Sequence, residues 1–302
     1  MRESLELAEQ AVALDPSYVR AWGAISRAAG VLGELRLMPP REAAARSRAA
    51  TAKALALDPQ YSDAHAWAAM DAYANDWDWP RAEKEYQLAL SAPGPHGQVD
   101  NLYGWSLMTR KRFTEARNHL QLAEELDPES PGSRANMTTE WIFERKLQEA
   151  RHEVDGIFKL NPKSLSAIRA LLWIGLLEGD CAAATSAGRK ALEWYPNVYD
   201  PTDAPHLKIT CGQFDDARRQ LAALGNGSEL SKASSAQLIS PYHIAEAYAR
   251  LNDADHAMEY LEKSAEARET MILYLEVDTM LDSLRSDPRF IALERRVGLR
   301  GQ

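Results

Sequence analysis

The sequence predicts an all-α fold, a right-handed superhelical solenoid of stacked antiparallel helix pairs. Alanine-rich amphipathic segments recur along the chain, and alanine favours helix because it has no side-chain entropy to lose. A short polar turn that contains proline follows each of these segments. The turns recur at a nearly constant step, and a step of this length is typical of a two-helix repeat.

The spacing of the prolines gives the length of the repeat. The steps between successive copies are 34, 35, 34 and 34 residues, for Pro59, Pro93, Pro128, Pro162 and Pro196. Proline ends the second helix of each unit because it cannot donate the next backbone hydrogen bond. The first step, from Pro16, is 43 residues, which indicates an insertion at residues 33–41.

Small residues stand where the two helices of a unit would cross. One unit carries Gly104, Ala116 and Ala123 at these positions, and the unit that ends at Pro162 carries Ala150. With the large and aromatic residues around them, these positions resemble the pattern of the tetratricopeptide repeat (TPR) family. The resemblance implies a superhelix whose concave face is lined by the first helix of every unit.

We expect a single TPR solenoid domain over residues 1–302. Its predicted parts are a partial repeat with a second helix only (1–16), a repeat with an insertion (17–59), four regular repeats (60–94, 95–130, 131–164 and 165–197), a degenerate repeat (198–231), a further repeat (238–268) and a C-terminal cap (269–302). Pro201 and Pro205 predict a short first helix in the degenerate repeat. The lone helix at residues 4–14 suggests a fragment of a longer protein.

Signals for the last helix are clear. Asp287 is placed to cap it, Pro288 suits its first position, and Gly298 lies just beyond its end. A solenoid needs such a cap because its last repeat has no neighbour. We therefore expect a capping helix at the C-terminus.

A narrower resemblance extends over almost the whole chain. It rests on four phrases: Met38-Pro39-Pro40-Arg41-Glu42-Ala43, Asp76-Trp77-Asp78-Trp79, Ser240-Pro241-Tyr242-His243-Ile244-Ala245 and Leu284-Arg285-Ser286-Asp287-Pro288-Arg289-Phe290. These resemble the C-terminal TPR arrays of bacterial signalling proteins. In that family the array follows a serine/threonine kinase, a winged-helix transcription regulator or a nucleotide cyclase. The resemblance implies a signalling context and an upstream domain of one of these kinds.

Composition excludes some classes of function. The net charge of -9 argues against a nucleic-acid surface, which needs lysine and arginine to replace phosphate counterions. The longest apolar run, residues 170–177, is far shorter than the roughly 20 residues of a membrane span. We expect a soluble, cytoplasmic protein with no membrane contact of its own, although a membrane-anchored parent stays open. Cys181 and Cys211 are interpreted as free, part-buried thiols, with a disulfide as the alternative.

A binding groove is the main functional hypothesis. Helical spacing directs one set of side chains into it: Met70, Tyr73, Asn101, Trp105, Met108, Thr139, Ile142, Arg169, Trp173, His206, Tyr242, Glu246 and Arg250. Aromatic and arginine side chains resemble binding hot spots. Alternatively, Trp105 and Trp173 fill a tight superhelix, and both interpretations stay open. A clamp for a C-terminal carboxylate is not expected, because Asn101, Arg169 and Arg250 lie in separate units. We therefore do not expect a cochaperone that binds chaperone tails.

No motif indicates catalysis or a cofactor. We interpret residues 76–80 as a helix start, with Asp78 as its cap and Pro80 in its first turn, rather than a metal site. No two of the seven histidines have the spacing of a metal-binding helix pair. Gly225-Asn226-Gly227 is interpreted as a loop without a nucleotide fingerprint. The first hypothesis is thus a protein-interaction scaffold, the second a small-molecule sensor in the same groove, and an enzyme the third.

Overall fold

The computed structural model describes residues 2–35, 37–196, 200–225 and 239–300. Over these ranges the chain is helical and contains no β-strand. The α-helices are α1 Arg2–Leu14, α2 Val19–Glu34, α3 Pro40–Leu57, α4 Ser62–Asp71, α5 Trp79–Ser91, α6 Gly97–Thr109, α7 Phe113–Leu126, α8 Pro131–Phe143, α9 Leu147–Leu160, α10 Leu165–Glu178, α11 Cys181–Trp194, α12 Asp203–Thr210, α13 Phe214–Gly225, α14 Pro241–Arg250, α15 Ala254–Ala267 and α16 Pro288–Arg296. A π-helical turn, Ala72–Asp76, extends α4, and two 3₁₀ turns, Thr270–Tyr274 and Thr279–Leu284, precede α16.

The helices stack as consecutive pairs. Each even-numbered helix from α2 to α14 packs on the odd-numbered helix that follows it. The even-numbered helices also contact one another from pair to pair, so they form the closely spaced inner layer, and the odd-numbered helices form the outer layer. This arrangement confirms the all-α solenoid that the repeat predicts.

Small residues set the distance between the two helices of a pair. A Cβ atom added at Gly104 of α6 would lie 2.8 Å from Leu120 Cγ of α7. A Cβ atom at Gly175 of α10 would lie 2.8 Å from the backbone nitrogen of Ala184 in α11. Ala116 is fully buried. The helices therefore cross so closely that only glycine or alanine fits, as the sequence indicates.

At three of the recurring prolines, the residue before the proline forms the turn that starts the next unit. The side chain of Asp15 accepts a hydrogen bond from Ser17 N at 2.9 Å, Asp58 from Gln60 N at 2.9 Å, and Asn161 from Lys163 N at 3.1 Å. An aspartate or asparagine side chain that accepts from the backbone N–H two residues later forms an Asx turn, which favours a change of chain direction at the proline. The repeat is thus terminated by one local device used several times.

The degenerate repeat has the short first helix that the prolines predict, because α12 spans only 8 residues. The interpretation of its cysteines as free thiols is wrong. Cys181, the first residue of α11, and Cys211, directly after α12, form a disulfide with a Cα–Cα distance of 5.0 Å. In a stacked solenoid, residues about one repeat apart in sequence become neighbours, so a separation of 30 residues brings the two sulfurs together.

The residues after α15 cap the stack and also turn back along its inner face. We call residues 269–300 the C-terminal segment. As predicted, Asp287 caps α16 by accepting a hydrogen bond from Arg289 N at 2.8 Å, and Gly298 adopts a positive φ of 78° beyond its end. The Gly298 carbonyl then accepts a hydrogen bond from Arg110 at 3.0 Å, 188 residues earlier in the chain.

Two further contacts join the early and late parts of the solenoid. Arg41 donates a hydrogen bond to the Glu266 carbonyl at 2.9 Å, and the Arg268 guanidinium lies 3.4 Å from the centre of the Trp77 ring. The solenoid is thus curled tightly enough for α3 and the turn after α4 to touch the end of α15. In the part of the chain that is described, no helix combines the length and apolar character that crossing a membrane requires.

Candidate binding groove

The structure divides the predicted groove residues into three groups. The first group is partly exposed on the inner helices α4, α6, α8 and α10. We call it the open strip, and its members are Met70, Asn101, Thr139, Arg169 and Trp173. The second group is buried, in part beneath the C-terminal segment, and its members are Tyr73, Trp105, Met108 and Ile142. The third is a polar cluster further along, with His206, Tyr242, Glu246 and Arg250.

The open strip presents polar atoms on consecutive helices. Asn101 Oδ1 accepts a hydrogen bond from Asn136 Nδ2 at 3.0 Å, which links α6 to α8. Thr139 donates its hydroxyl to the Ala135 carbonyl at 2.9 Å. The Arg169 guanidinium lies 3.6 Å from Asp200, and its side chain stays 32% exposed. The strip therefore offers an amide pair, a cation and part of an indole ring to solvent.

Trp105 belongs to an aromatic cage that is already occupied. We define the aromatic cage as Tyr73, Trp105 and Phe143, which come from three successive helix pairs on the inner side of the solenoid. Tyr274 of the C-terminal segment fills it, with ring centres 5.9 Å from Trp105 and 5.1 Å from Phe143. Trp105 Nε1 donates a hydrogen bond to Tyr274 Oη at 2.7 Å. Trp105 therefore fills the interior of the superhelix, which is the second of the two interpretations of the tryptophans.

Tyr73, the tyrosine of the aromatic cage, is anchored within the solenoid. Tyr73 is 1% exposed, and its hydroxyl is 2.6 Å from Thr109 Oγ1. Burial raises the pKa of Tyr73 to about 12, so the hydroxyl stays neutral. This wall of the cage is therefore held by a contact within the solenoid.

His206 and Arg250 form the centre of the polar cluster. His206 Nε2 donates to the His243 carbonyl at 3.0 Å, and its Nδ1 accepts from Arg250 at 3.1 Å. This pattern requires the neutral imidazole. Burial, and then the charge of Arg250, lower the pKa of His206 to about 3. Arg250 also donates to Thr210 at 2.7 Å, so the pair fixes α12 against α14.

A carboxyl pair joins the polar cluster to the C-terminal segment. Asp278 accepts hydrogen bonds from Tyr242 Oη at 3.1 Å and from Met280 N at 2.8 Å. Glu246 is 1% exposed and hydrogen-bonds Asp278, and burial followed by the charge of Asp278 raises the pKa of Glu246 well above its usual range. Glu246 Oε1 is buried without a hydrogen-bond partner among the described residues. Burial beside a second carboxyl group therefore favours the neutral form of Glu246.

Sequence reasoning missed the residues that fill the groove. Tyr274 and Asp278 were not among the predicted groove residues, because the repeat pattern places groove positions only on the first helices. Phe143 ends α8, the first helix of its pair, and was also not among the predicted positions. The segment itself carried a signal: residues 271–275 are Met-Ile-Leu-Tyr-Leu. An apolar run outside any repeat must be buried on some surface.

The candidate catalytic and metal motifs have structural roles. Asp78 caps α5 by accepting from Arg81 N at 3.1 Å, and Trp79 packs edge-on against Tyr73 with ring centres 5.0 Å apart. Within the described ranges, no group of three or more histidine, cysteine or acidic side chains could hold a metal ion. Asn226 and Gly227 of the predicted glycine loop lie outside those ranges.

Two cavities lie away from the predicted groove residues. One of about 360 Å³ lies between α1, α2 and α3, where its lining includes Arg2, Leu37 and Arg46. The other, of about 370 Å³, lies between α8 and α9 beside Trp141 and His152. No predicted groove residue lines either cavity.

No protein-family model matches the sequence, and no curated protein is significantly similar to it. The fold is similar to that of several solved structures. PilF of Pseudomonas aeruginosa is 20% identical, with 83% of this chain and 96% of that chain covered and a TM-score of 0.43. Yeast Tom70 is 17% identical, with 98% and 62% covered and a TM-score of 0.52. The TPR domain of P58(IPK) is 14% identical, with 97% and 91% covered and a TM-score of 0.28.

Among these three, the likeness to Tom70 has the higher TM-score, and at 17% identity it shows the fold alone. This chain spans 62% of the length of the Tom70 chain. The stacked helix pairs, the close crossings at glycine and alanine and the turn before each proline agree with that likeness. The chain therefore has the fold of a tetratricopeptide-repeat solenoid.

Proposed function

We propose that the chain is a non-catalytic scaffold that binds a peptide or a partner domain along the open strip. One observation carries this proposal. Met70, Asn101, Thr139 and Arg169 lie on four consecutive inner helices, and all four stay partly exposed although the inner face beside them is filled. A row of side chains at the spacing of the stacked pairs suits an extended ligand.

The chemistry of the strip favours a peptide with hydrogen-bonding groups and an acidic side chain. Asn101 and Asn136 satisfy one hydrogen bond between them, and each amide side chain has further donor or acceptor capacity. Arg169 supplies a cation that a carboxylate can pair with in a bidentate manner. The partly exposed ring of Trp173 adds an apolar contact, which is typical of a binding hot spot.

A peptide array tests this proposal. Peptides that bind the wild-type protein are expected to bind Asn101→Ala and Arg169→Ala about tenfold more weakly, because each change removes a hydrogen bond or a charge pair of about 1–3 kcal/mol. Arg219→Ala is the matched control, since Arg219 is an exposed arginine of the outer helix α13. Equal affinity of all three variants would exclude the open strip as the binding surface.

The proposed setting is a bacterial signalling or regulatory protein. Its support is the resemblance of the four sequence phrases to TPR arrays that follow a kinase, a winged-helix regulator or a nucleotide cyclase. Sequencing the reading frame upstream of this chain tests the setting. A domain of one of these three kinds would support it, and an unrelated domain would oppose it.

Two features bear on the proposed cytoplasmic location, and they differ. From the sequence we expect a cytoplasmic protein, whereas the Cys181–Cys211 disulfide favours an oxidising compartment, because cytosolic thiols are kept reduced. Alkylating intact cells with a thiol-specific mass tag before lysis distinguishes the two. Two tagged cysteines would support the cytoplasm, and an untagged protein would support an oxidising compartment.

A further inference from the structure

We propose that the aromatic cage is a second interaction surface, which Tyr274 of this chain occupies here and which takes in exchange a partner segment carrying a tyrosine beside carboxylates. The inference rests on the proposed function in that it assumes a partner protein. It differs in location, because the cage lies beneath the C-terminal segment and the open strip lies beside it. It also names the chemistry of the partner.

The contacts of Tyr274 are those of a bound side chain. Its ring lies against Trp105 and Phe143, and its hydroxyl accepts the indole N–H of Trp105. Because that donor is buried, a ligand in the cage must supply an acceptor atom as well as a ring. Tyrosine meets both requirements, whereas phenylalanine and leucine meet only the apolar one.

Cations in the turns after the inner helices α6 and α8 flank the cage and meet carboxylates of the C-terminal segment. Lys111 Nζ lies 3.6 Å from Glu276, two residues after Tyr274. Arg145, two residues after Phe143, pairs with Asp282. Half of the Lys111 side chain and two thirds of the Arg145 side chain are exposed, so both can exchange one carboxylate for another. The partner segment is therefore expected to carry acidic residues on the C-terminal side of its tyrosine.

The form of residues 270–276 suits exchange. Thr270–Tyr274 form a single 3₁₀ turn rather than a helix of the stack, and ordinary turn residues follow it. Just before it, the chain changes direction at Arg268, which has a positive φ of 55°. Turns of this kind have poorer hydrogen-bond geometry than an α-helix. The turn is held in place by its docking contacts more than by its own backbone bonds.

Docking of the C-terminal segment buries a carboxyl oxygen that has no hydrogen-bond partner in the described part of the chain, which makes docking less favourable. Glu246 and Asp278 are both about 1% exposed, and Glu246 Oε1 is buried without a hydrogen-bond partner among the described residues. The groups that face this pair are Tyr242, His206, Arg250 and Asp200, with the Arg285 side chain on the Asp278 carbonyl. An unsatisfied buried carboxyl oxygen weakens the state in which it is buried. Docking of the segment against α14 is therefore less favourable than its apolar contacts alone would make it.

The test uses the full-length protein and a fluorescein-labelled synthetic peptide of residues 269–284. In the wild type the tethered segment competes at an effective concentration on the order of millimolar, so the free peptide is expected to bind weakly. The variant Tyr274→Ala empties the cage and is expected to bind the peptide at least about tenfold more tightly. The double variant Trp105→Ala/Tyr274→Ala should return to weak binding. A peptide with phenylalanine at position 274 should bind Tyr274→Ala less tightly than the wild-type peptide.

A folded Tyr274→Ala protein that binds the peptide no better than the wild type would overturn the inference. If that variant does not fold, hydrogen exchange of the wild type decides. Faster exchange of the amides of residues 270–276 than of those in α6 supports the inference, and equally slow exchange overturns it. Loss of array binding at the open strip leaves this result unchanged, so the two proposals fail separately.

Discussion

His206 is a neutral histidine held between an arginine and a backbone carbonyl. Its Nδ1 accepts from Arg250, so a proton on Nδ1 would break that bond and place two cations together. Burial and Arg250 lower the pKa of His206 from 6.5 to about 3. The unfolded chain therefore binds a proton between these values and the folded chain does not. Stability is fully present above pH 6.5 and is lost as the pH falls below it.

This linkage predicts the pH dependence of unfolding. Between pH 6.5 and pH 5 the wild type should lose about 2 kcal/mol of unfolding free energy through His206 alone. The glutamine in His206→Gln is neutral at every pH, so this variant should lack that part of the loss of unfolding free energy. The control His256→Gln, at an exposed position of α15, should keep it. Urea denaturation at the two pH values measures the difference. The same pH dependence in all three proteins would refute the neutral His206.

The distance between paired helices of this solenoid is set by the small residues that fit between them. Ala116 in α7 and Ala150 in α9 are fully buried at the crossings with α6 and α8. The sequence predicted both as small positions because the repeat places them there. It could not predict Phe143 in the aromatic cage, since that contact depends on a segment more than 100 residues away.

Overpacking at these crossings is expected to destabilise single pairs. Ala116→Trp and Ala150→Trp should each lower the unfolding free energy by about 1–3 kcal/mol or more, because the ring has no space between the helices. Gln121→Trp is the control, since Gln121 is exposed on α7. Thermal unfolding followed by circular dichroism measures the effect. Unchanged melting of the two alanine variants would mean that the helix register is wrong.

The disulfide stabilises the least regular pair. It joins the start of α11 to the end of the short α12 across 30 residues. Closing a loop of this length stabilises the folded state by about 3–4 kcal/mol in the chain-entropy estimate. The variant Cys181→Ser/Cys211→Ser should melt at a lower temperature, and dithiothreitol should lower the melting temperature of the wild type but not of the variant. A wild type that is insensitive to the reductant would contradict this role.

At the scale of the whole molecule, the sequence predicts the stack but not its closure. The proline steps of about 34 residues define the helix pairs, because each turn is a local device. The contact of Trp105 with Tyr274 spans 169 residues, and no local pattern encodes it. The cap helix at Asp287 was predictable from its capping signals, whereas the path of the preceding turn across the inner face was not.

The docked C-terminal segment limits which part of the concave face a ligand can reach. Within the described residues, the C-terminal segment covers Tyr73, Trp105 and Met108 and leaves the open strip free. For one part of the inner face, the chain itself supplies the occupant, because Tyr274 lies in the aromatic cage. The curvature of the solenoid and the burial of the aromatic cage therefore go together, because the C-terminal segment contacts the earlier helix pairs in both.

A double-mutant cycle between Trp105 and Tyr274 tests this closure most directly. Unfolding free energies of the wild type, Trp105→Ala, Tyr274→Ala and the double variant are measured by urea denaturation. The ring contact and the hydrogen bond predict a coupling energy of about 1–2 kcal/mol. Additive effects, with a coupling energy below about 0.3 kcal/mol, would show that the two residues do not touch and that the C-terminal segment does not close the solenoid.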